Sequence, residues 1–364
     1  MSPPVTYVGV TGRAANHSPA TTVHCNHPPS VTKGDAQKKR GRRSKKKDLA
    51  SVLPAGISEE DFRVGISTSG YPLQISVGDA LDTRDFFLKE EFAFEDSDQG
   101  GRRTIDIVGE KWEDIFESER GRSQFMSMPL IECKQSRHPL VLFEAVNPPH
   151  LGKFPGLMGY PGQDIQVANE KGANTWRIVP ALEFLGSLED AFIQEPPIAA
   201  SLARAVPKGK KVELSGDEIY RAITMPLVKA ANALRTYWTR PRNDSKQLWE
   251  LRMVFPIAIV DCPLVFVGRP AGEPVIRPVE WVRLGVRDVV TGKYDPWKPV
   301  GVQIIDVVQR EFFEAYLDRY LAPFAHGIRE RACGIHDQFL TQKVIIEGLD
   351  WANPPAEPLY SLLQ

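Results

Sequence analysis

Residues 102–109 read Arg-Arg-Thr-Ile-Asp-Ile-Val-Gly, and residues 128–135 read Met-Pro-Leu-Ile-Glu-Cys-Lys-Gln. Both segments are apolar, favour β-structure and carry Gly or Pro, which is typical of interior strands. Asp106 lies between two isoleucines of the first segment. An isolated carboxylate in such a strand costs roughly several kcal/mol unless a nearby group offsets its charge. We therefore expect Asp106 to have a charged or hydrogen-bonding partner.

The second segment carries an acid and an amine on one face. Side chains alternate between the faces of a strand, so Glu132 and Lys134 share a face while Cys133 lies on the other. If the two strands pair, Asp106 and Glu132 lie about 5 Å apart as cross-strand neighbours. Two carboxylates at that distance repel each other unless a cation lies between them. Mg²⁺, with Mn²⁺ as its substitute, is the natural candidate because it takes hard oxygen ligands and keeps several waters.

Asp106 followed by Glu132-Cys133-Lys134 resembles the Asp…(Asp/Glu)-x-Lys signature of the restriction-endonuclease-like nuclease superfamily. Residues 69–74, Ser-Gly-Tyr-Pro-Leu-Gln, open a helix ahead of an apolar segment at 86–94, which is similar to the helix-strand-strand entry of that fold. The resemblance implies an α/β fold in which a mixed central sheet is flanked by helices. It also implies a metal-dependent endonuclease.

The resemblance assigns a role to each matched residue. Asp106, Glu132 and the main-chain carbonyl of Cys133 would bind the metal ion. Lys134 would orient and activate the attacking water and stabilise charge on phosphorus. The side chain of Cys133 is expected to pack as a buried spacer.

Two glutamines are expected to support the ligands by hydrogen bonding. Gln74 stands at the position where many members of the superfamily carry a metal-binding Glu, and Gln135 follows Lys134 directly. A glutamine can hydrogen-bond a water on the ion but brings no charge, which disfavours a second ion, although the sequence does not fix the number of ions.

The sequence favours a nuclease that hydrolyses phosphodiester bonds in DNA, in a setting such as restriction, phage defence or repair. Two alternatives stay open at this point. One is a nuclease directed at RNA. The other is a nucleic-acid-binding or scaffolding protein that keeps the fold without the chemistry, an alternative prompted by the glutamine at position 74.

Charge is distributed unevenly along the 364 residues. The whole chain has a formal net charge of −1, but residues 1–50 carry +8 and residues 51–364 carry −9. A basic segment within the first part is a candidate arm for nucleic-acid phosphates. Its basic residues are Lys38, Lys39, Arg40, Arg42, Arg43, Lys45, Lys46 and Lys47.

The remaining composition is that of an ordinary globular chain, with 42% hydrophobic and 25% charged residues. Four scattered cysteines form no Cys-x-x-Cys pair, which fits a reducing compartment. We expect a cytoplasmic protein with no membrane partner, since no apolar run is long enough to cross a bilayer and no signal-peptide pattern opens the chain. The oligomeric state is left open.

Composition and periodicity divide the chain into five parts. Residues 1–52 are rich in Pro, Ser, Thr and then Lys and Arg, and are predicted to be disordered. We predict a first core part at 53–146, an insertion that shapes the cleft at 147–213, a second core part at 214–270 and a packed C-terminal extension at 271–364.

Hydrophobic spacing predicts the elements within these parts. A helix N-cap is expected at Ser58, and a hairpin should join residues 86–94 to the Asp106 strand. The other predicted elements are a helix at 71–81, a loop or short helix at 111–121, a helix at 215–238 kinked at Pro226, strands at 251–260, 264–267 and 302–308, and a helix at 310–321.

Overall fold

A computed structural model describes residues 53–54, 56–96, 100–118, 121–159, 163–172, 175–237, 248–268, 273–287, 302–334 and 344–346. The chain divides after Leu53, and the strands and helices named below belong to the unit Pro54–Gln364. The prediction of a disordered tail at 1–52 and the basic segment at 38–47 both lie outside the described residues.

Fifteen strands are found in the described part of the chain. They are β1 (Phe87–Glu95), β2 (Arg102–Ser118), β3 (Gly121–Gln135), β4 (Leu140–Glu144), β5 (Gly156–Gly159), β6 (Gln163–Gly172), β7 (Thr175–Pro180), β8 (Ile198–Lys208), β9 (Lys211–Ser215), β10 (Leu248–Asp261), β11 (Leu264–Gly268), β12 (Val275–Val279), β13 (Trp281–Arg287), β14 (Val302–Gln309) and β15 (Val344–Ile346).

The α-helices begin with two before the first strand and end with two after β14. They are α1 (Glu59–Ser67), α2 (Tyr71–Asp82), α3 (Ala181–Phe184), α4 (Ala191–Gln194), α5 (Asp217–Ile219), α6 (Met225–Tyr237), α7 (Phe313–Tyr316) and α8 (Ala322–Gly334). Short 3₁₀ segments occur at Leu151–Lys153, Ser187–Glu189 and Arg310–Phe312, and π-helical turns at Tyr220–Thr224 and Leu317–Leu321.

The strands form a large mixed sheet, whose main path runs β1-β2-β3-β10-β14-β13-β8-β4-β11-β12. The pairs β1–β2, β2–β3 and β13–β14 are antiparallel, while β3–β10 and β10–β14 are parallel. Helices flank this sheet, so the predicted mixed α/β class is confirmed. Strands from the predicted insertion (147–213) and extension (271–364) also belong to the sheet.

Each face of the sheet is covered by different helices. Ile131 and Ile257 belong to a buried cluster that includes residues of α2, α7 and α8. Leu130 and Ala258 belong to a second cluster, which includes residues of α5 and α6. Because side chains alternate along β3, Glu132 lies on the same side as Leu130, facing the helices of the second cluster.

The hairpin of β1 and β2 forms as predicted, but β2 extends further than expected. Residues 111–121 were expected to form a loop or short helix, and this expectation is wrong because β2 continues to Ser118. Charged and apolar residues of this stretch both pair with β3, as in Glu113↔Phe125 and Trp112↔Met126. Pairing with β3 therefore determines the conformation of this polar stretch, as tertiary context often does for strands.

Both π-helical turns end two residues before a proline. Thr224 closes the first turn ahead of Pro226, and Leu321 closes the second ahead of Pro323. A proline inside a helix lacks the N–H that would bond to the carbonyl four residues earlier, so the preceding turn widens. The sequence predicts a kink at Pro226, and the structure has a π-helical turn directly before α6.

A buried ion pair holds β13 to β14. Arg283 and Asp306 are opposite one another in the antiparallel ladder and are fully buried. The Arg283 Nε donates to Asp306 Oδ1 over 2.8 Å, and the Tyr316 hydroxyl donates to Asp306 Oδ2 over 2.9 Å. Burial, followed by the negative charge of Asp306, raises the pKa of Tyr316 well above its usual value. Asp306 is therefore committed to the core.

In the part of the chain that the structure describes, no helix has both the length and the apolar character required to span a membrane.

Candidate functional site

The candidate site lies where β2 and β3 stop pairing. Their ladder ends with the pair Ile107↔Ile131. Asp106 on β2 and Glu132 on β3 lie one residue beyond this last pair. They are the two carboxylates that the sequence predicts to be neighbours. The structure therefore brings these two acids to the same level of neighbouring strands, at the point where the strands separate.

Asp106 is half-buried and bound from two sides. Its Oδ2 accepts a hydrogen bond from the main-chain N–H of Cys133 over 2.7 Å. Its main-chain carbonyl accepts one from the side-chain amide of Gln74 over 3.0 Å. Gln74 thus ties α2 to β2, and its amide group contacts the main chain of the site. The carboxylate of Asp106 is therefore fixed by the main chain of β3.

Glu132 is buried with a relative exposure of 5%. Its Oε1 lies 2.5 Å from the Lys134 Nζ, so the two residues form an ion pair along one face of β3. Its Oε2 is buried and has no hydrogen-bond partner among the described residues. Buried polar atoms nearly always have a partner, so this oxygen is placed for a donor or a cation.

Burial and the neighbouring charges act on the pKa of Glu132 in opposite directions. Burial raises it, the ammonium of Lys134 lowers it, and the carboxylate of Asp106 raises it, giving a pKa of about 7. Lys134 is about one-third exposed. Burial lowers its pKa, but the charge of Glu132, its hydrogen bond to Lys134 and the charge of Asp106 together outweigh burial, so the pKa is raised overall. Lys134 is therefore positively charged at neutral pH. The neighbouring Glu132 changes between its neutral and charged forms near the same pH.

This arrangement predicts a pH dependence of folding stability in a buffer without divalent ions. The folded-state pKa of Glu132 is raised from 4.5 to about 7. The folded protein therefore holds this proton more tightly than the unfolded chain, and the free energy of unfolding should fall as the pH rises between those values. A shift of this size corresponds to about 3 kcal/mol.

Urea denaturation at a series of pH values measures this effect. Glu132→Gln should flatten the dependence between about pH 4.5 and 7. Glu110→Gln serves as the matched control, because Glu110 lies on β2 and pairs with Lys89. If Glu132→Gln and Glu110→Gln gave the same pH profile, the assigned pKa of Glu132 would be wrong.

Not all residues suggested by the resemblance meet at this point. The side-chain amide of Gln135 donates to Asp261 Oδ2 over 3.2 Å, on the face opposite to Glu132 and Lys134. The Cys133 side chain packs into the cluster beside α2. Burial, followed by the charge of Asp106, raises the pKa of its thiol. The side chain of Cys133 is thus buried, as predicted.

Sequence reasoning missed a third acid, Glu91. The β1–β2 pairs Glu90↔Ile107 and Phe92↔Ile105 place it opposite Asp106. Its φ of 48° is in the left-handed region, which costs a residue with a side chain about 1–2 kcal/mol. Its charge is among those that raise the pKa of Glu132. Nothing in the local sequence, Lys-Glu-Glu-Phe, distinguishes it from a solvated charge.

The donor set can be tested against a divalent cation. Within the described residues, no three His, Cys, Asp or Glu side chains are gathered in a way that could hold a metal ion. Mg²⁺ needs only one or two protein carboxylates and otherwise keeps its waters. The unpartnered Oε2 of Glu132 beside Asp106 meets that smaller requirement, so the residues present fit one hydrated ion.

Comparisons of this chain with protein-family models, with curated proteins and with solved structures found no match.

Proposed function

We propose that this protein is a Mg²⁺-dependent nuclease with a restriction-endonuclease-like core, and that DNA is its substrate. One observation carries the proposal. A buried acid, Glu132, has one oxygen on Lys134 and the other without a partner among the described residues, beside a second acid, Asp106, at the separation of two strands. This donor set suits phosphodiester hydrolysis, in which negative charge accumulates on the reacting phosphate.

Each residue has a role that follows from its position. Asp106 and Glu132 would hold the ion, which would supply positive charge to the phosphate oxygens. Lys134 donates a hydrogen bond to the attacking water and stabilises the charge on phosphorus, because its ammonium is partly exposed and stays protonated. Gln74 fixes the main chain at Asp106, and Cys133 fixes the carboxylate of Asp106.

A nucleic-acid substrate is supported by the charge of the chain. Residues 51–364 carry a net charge of −9, which opposes binding of a polyanion by the body as a whole. Residues 1–50 carry +8, and clustered Lys and Arg are the usual source of affinity for phosphates. We infer that the basic segment at 38–47 retains the nucleic acid while the site acts on it. Restriction, phage defence and repair are all compatible settings.

Cleavage of supercoiled plasmid tests the proposed function. The full chain should nick or linearise the plasmid in Mg²⁺ and should not do so in EDTA. Asp106→Asn removes one anionic ligand without changing its size, and the rate should fall by about 10²-fold or more. Glu110→Gln, on the same strand, should cleave like the parent. Equal cleavage by the parent and Asp106→Asn would remove the assignment.

The glutamine at position 74 favours a second candidate, a nucleic-acid-binding or scaffolding protein without catalytic activity. Its side chain carries no charge and is bound to the main chain of β2. Such a protein would bind plasmid in Mg²⁺ without cutting it. A nuclease directed at RNA would keep the same site, and competition among DNA, RNA and hybrid duplexes in the cleavage assay separates it from the DNA enzyme.

A further inference from the structure

The β8–β9 hairpin ends in a two-stranded ribbon with both of its faces exposed. The ribbon is closed by the turn Gly209-Lys210, in which Gly209 has the positive φ, 63°, that such tight turns favour. Every residue from Pro207 to Leu214 is exposed. A two-stranded ribbon that buries neither face gains little from packing. The hydrophobic core therefore does not account for the side chains that this ribbon carries.

Three lysines are clustered at the tip of the hairpin. Lys208 and Lys211 are opposite each other in the ladder, where like charges destabilise a pair of strands. Glu213 offsets the charge of Lys208 over 2.7 Å. Lys210 and Lys211 form no ion pair or side-chain hydrogen bond within the part of the chain that the structure describes. The tip thus presents two unbalanced positive charges, although residues 51–364 carry a net charge of −9.

The other face of the ribbon is apolar. Cross-strand partners share a face, so Val212 lies beside Pro207, and Leu214 lies beside Ala205, opposite to the face of the paired lysines. Val212 is 66% exposed and Leu214 is 50% exposed. Large apolar side chains left in water forgo the free energy that their burial would provide. A partner with both anionic and apolar surfaces would match the two features of this ribbon.

The hairpin is attached to the sheet close to the end of the strand that carries Lys134. The main-chain N–H of Ala205 donates to the carbonyl of Pro139 over 3.0 Å. Pro139 is five residues beyond Lys134 in the sequence. Lys208 follows Ala205 by three residues, which is about 10 Å along an extended strand. The ribbon is therefore anchored on the segment that leaves the candidate site.

We propose that the β8–β9 hairpin is a nucleic-acid contact, in which Lys210 and Lys211 bind backbone phosphates while Val212 and Leu214 pack against the sugars and bases of a groove. The major groove of a duplex admits a two-stranded ribbon, and phosphate contacts set the position of a protein on it. An anionic lipid surface matches the ribbon less well, because residues 207–214 include no aromatic side chain of the kind that anchors proteins at a membrane interface. The proposal rests on the proposed function for its partner, since both take a nucleic acid.

Fluorescence anisotropy of a short labelled DNA duplex, titrated with the full chain at several salt concentrations, tests the ionic contacts. The titration is done in EDTA, so that binding is measured without the proposed cleavage. Lys210→Gln/Lys211→Gln should weaken binding by about tenfold or more near ~0.1 M salt, and should reduce the slope of log affinity against log salt by about 1.8. Arg63→Gln/Arg319→Gln removes the same charge from exposed positions elsewhere and should bind like the parent.

A second variant tests the apolar face of the ribbon. Val212→Ser/Leu214→Ser should weaken duplex binding by about fivefold with an unchanged salt slope, because apolar area is lost and no ionic contact is. Val275→Ser/Ile276→Ser is the matched control, since these β12 side chains are 50% and 69% exposed. The control should bind the duplex like the parent. Equal loss of affinity in both variants would contradict a contact through the hairpin.

The failures of the two proposals are distinguishable. If Lys210→Gln/Lys211→Gln keeps the affinity and salt slope of the parent, the role of the hairpin is overturned, and the plasmid assay still decides the proposed function. If the parent binds the duplex through these lysines but cleaves no plasmid in Mg²⁺, the proposed hydrolysis is overturned and the hairpin contact stands. Cosedimentation with phosphatidylserine vesicles that depends on these lysines, together with duplex binding that does not, would overturn the proposal in favour of a lipid surface.

Discussion

Lys134→Met should reduce Mg²⁺-dependent plasmid cleavage by about 10²- to 10³-fold, which is the usual effect of removing a group that orients the reacting water or stabilises developing charge. Methionine keeps most of the length and apolar surface of the side chain, so the strand should remain packed. The variant loses the ammonium that contacts Glu132 over 2.5 Å. Single-turnover cleavage at saturating enzyme measures the change in the chemical step.

The control for this variant is Lys89→Met. Lys89 is a β1 lysine of similar exposure and pairs with Glu110 over 2.6 Å. Its loss should leave cleavage unchanged, because exposed ion pairs contribute little. Since Lys134 also lowers the pKa of Glu132, its loss should raise that pKa, and the rates of the two proteins should be compared over a series of pH values. If Lys134→Met recovered the full cleavage rate at high pH, Lys134 would act only by lowering the pKa of Glu132.

Arg283→Met should destabilise the fold by about 3–5 kcal/mol, the cost of leaving one member of a buried ion pair without its partner. Among the described residues, the hydroxyl of Tyr316 would then be the one remaining hydrogen-bond partner of the buried Asp306. The Arg283 guanidinium also lies 4.4 Å from the ring centroid of Phe154 and 4.8 Å from that of Phe192, so cation–π contacts are removed as well.

Guanidinium denaturation followed by fluorescence measures this loss. Arg283→Met/Asp306→Leu should be far less destabilised than Arg283→Met, because no charge is then left alone in the core. Arg310→Met is the surface control, since Arg310 is 44% exposed and lies 3.5 Å from Asp261. If Arg283→Met and Arg310→Met were equally stable, Arg283 would not hold β13 to β14.

Periodicity predicted the hairpin, the strand of Glu132 and the helix that follows residue 70, because each is specified by local alternation or spacing. The alternation along β3 also gave the shared face of Glu132 and Lys134. The same alternation separates Gln135 from them, so its hydrogen bond to Asp261 follows from the strand geometry. The proximity of Asp106 and Glu132 was a hypothesis, because the sequence does not establish that their two strands are neighbours.

Some features could not be predicted from the local sequence pattern, because they depend on partners that are distant in sequence. The continuation of β2 to Ser118 is imposed by pairing with β3. Asp306 and Asp106 are both acids in apolar strands, yet Asp306 is neutralised by Arg283 from the neighbouring strand. Glu91 could not be singled out from the sequence, because nothing around this glutamate predicts a left-handed φ.

The most direct test of the proposed cation site is anomalous diffraction from a crystal of the full chain soaked in Mn²⁺. We expect one strong anomalous peak between the carboxylates of Asp106 and Glu132, about 2.1 Å from an oxygen of each, with the Glu132 Oε2 among its ligands. A crystal of Asp106→Asn should show no such peak. Mn²⁺ bound elsewhere, with none between these two carboxylates, would contradict the proposed site and the chemistry assigned to it.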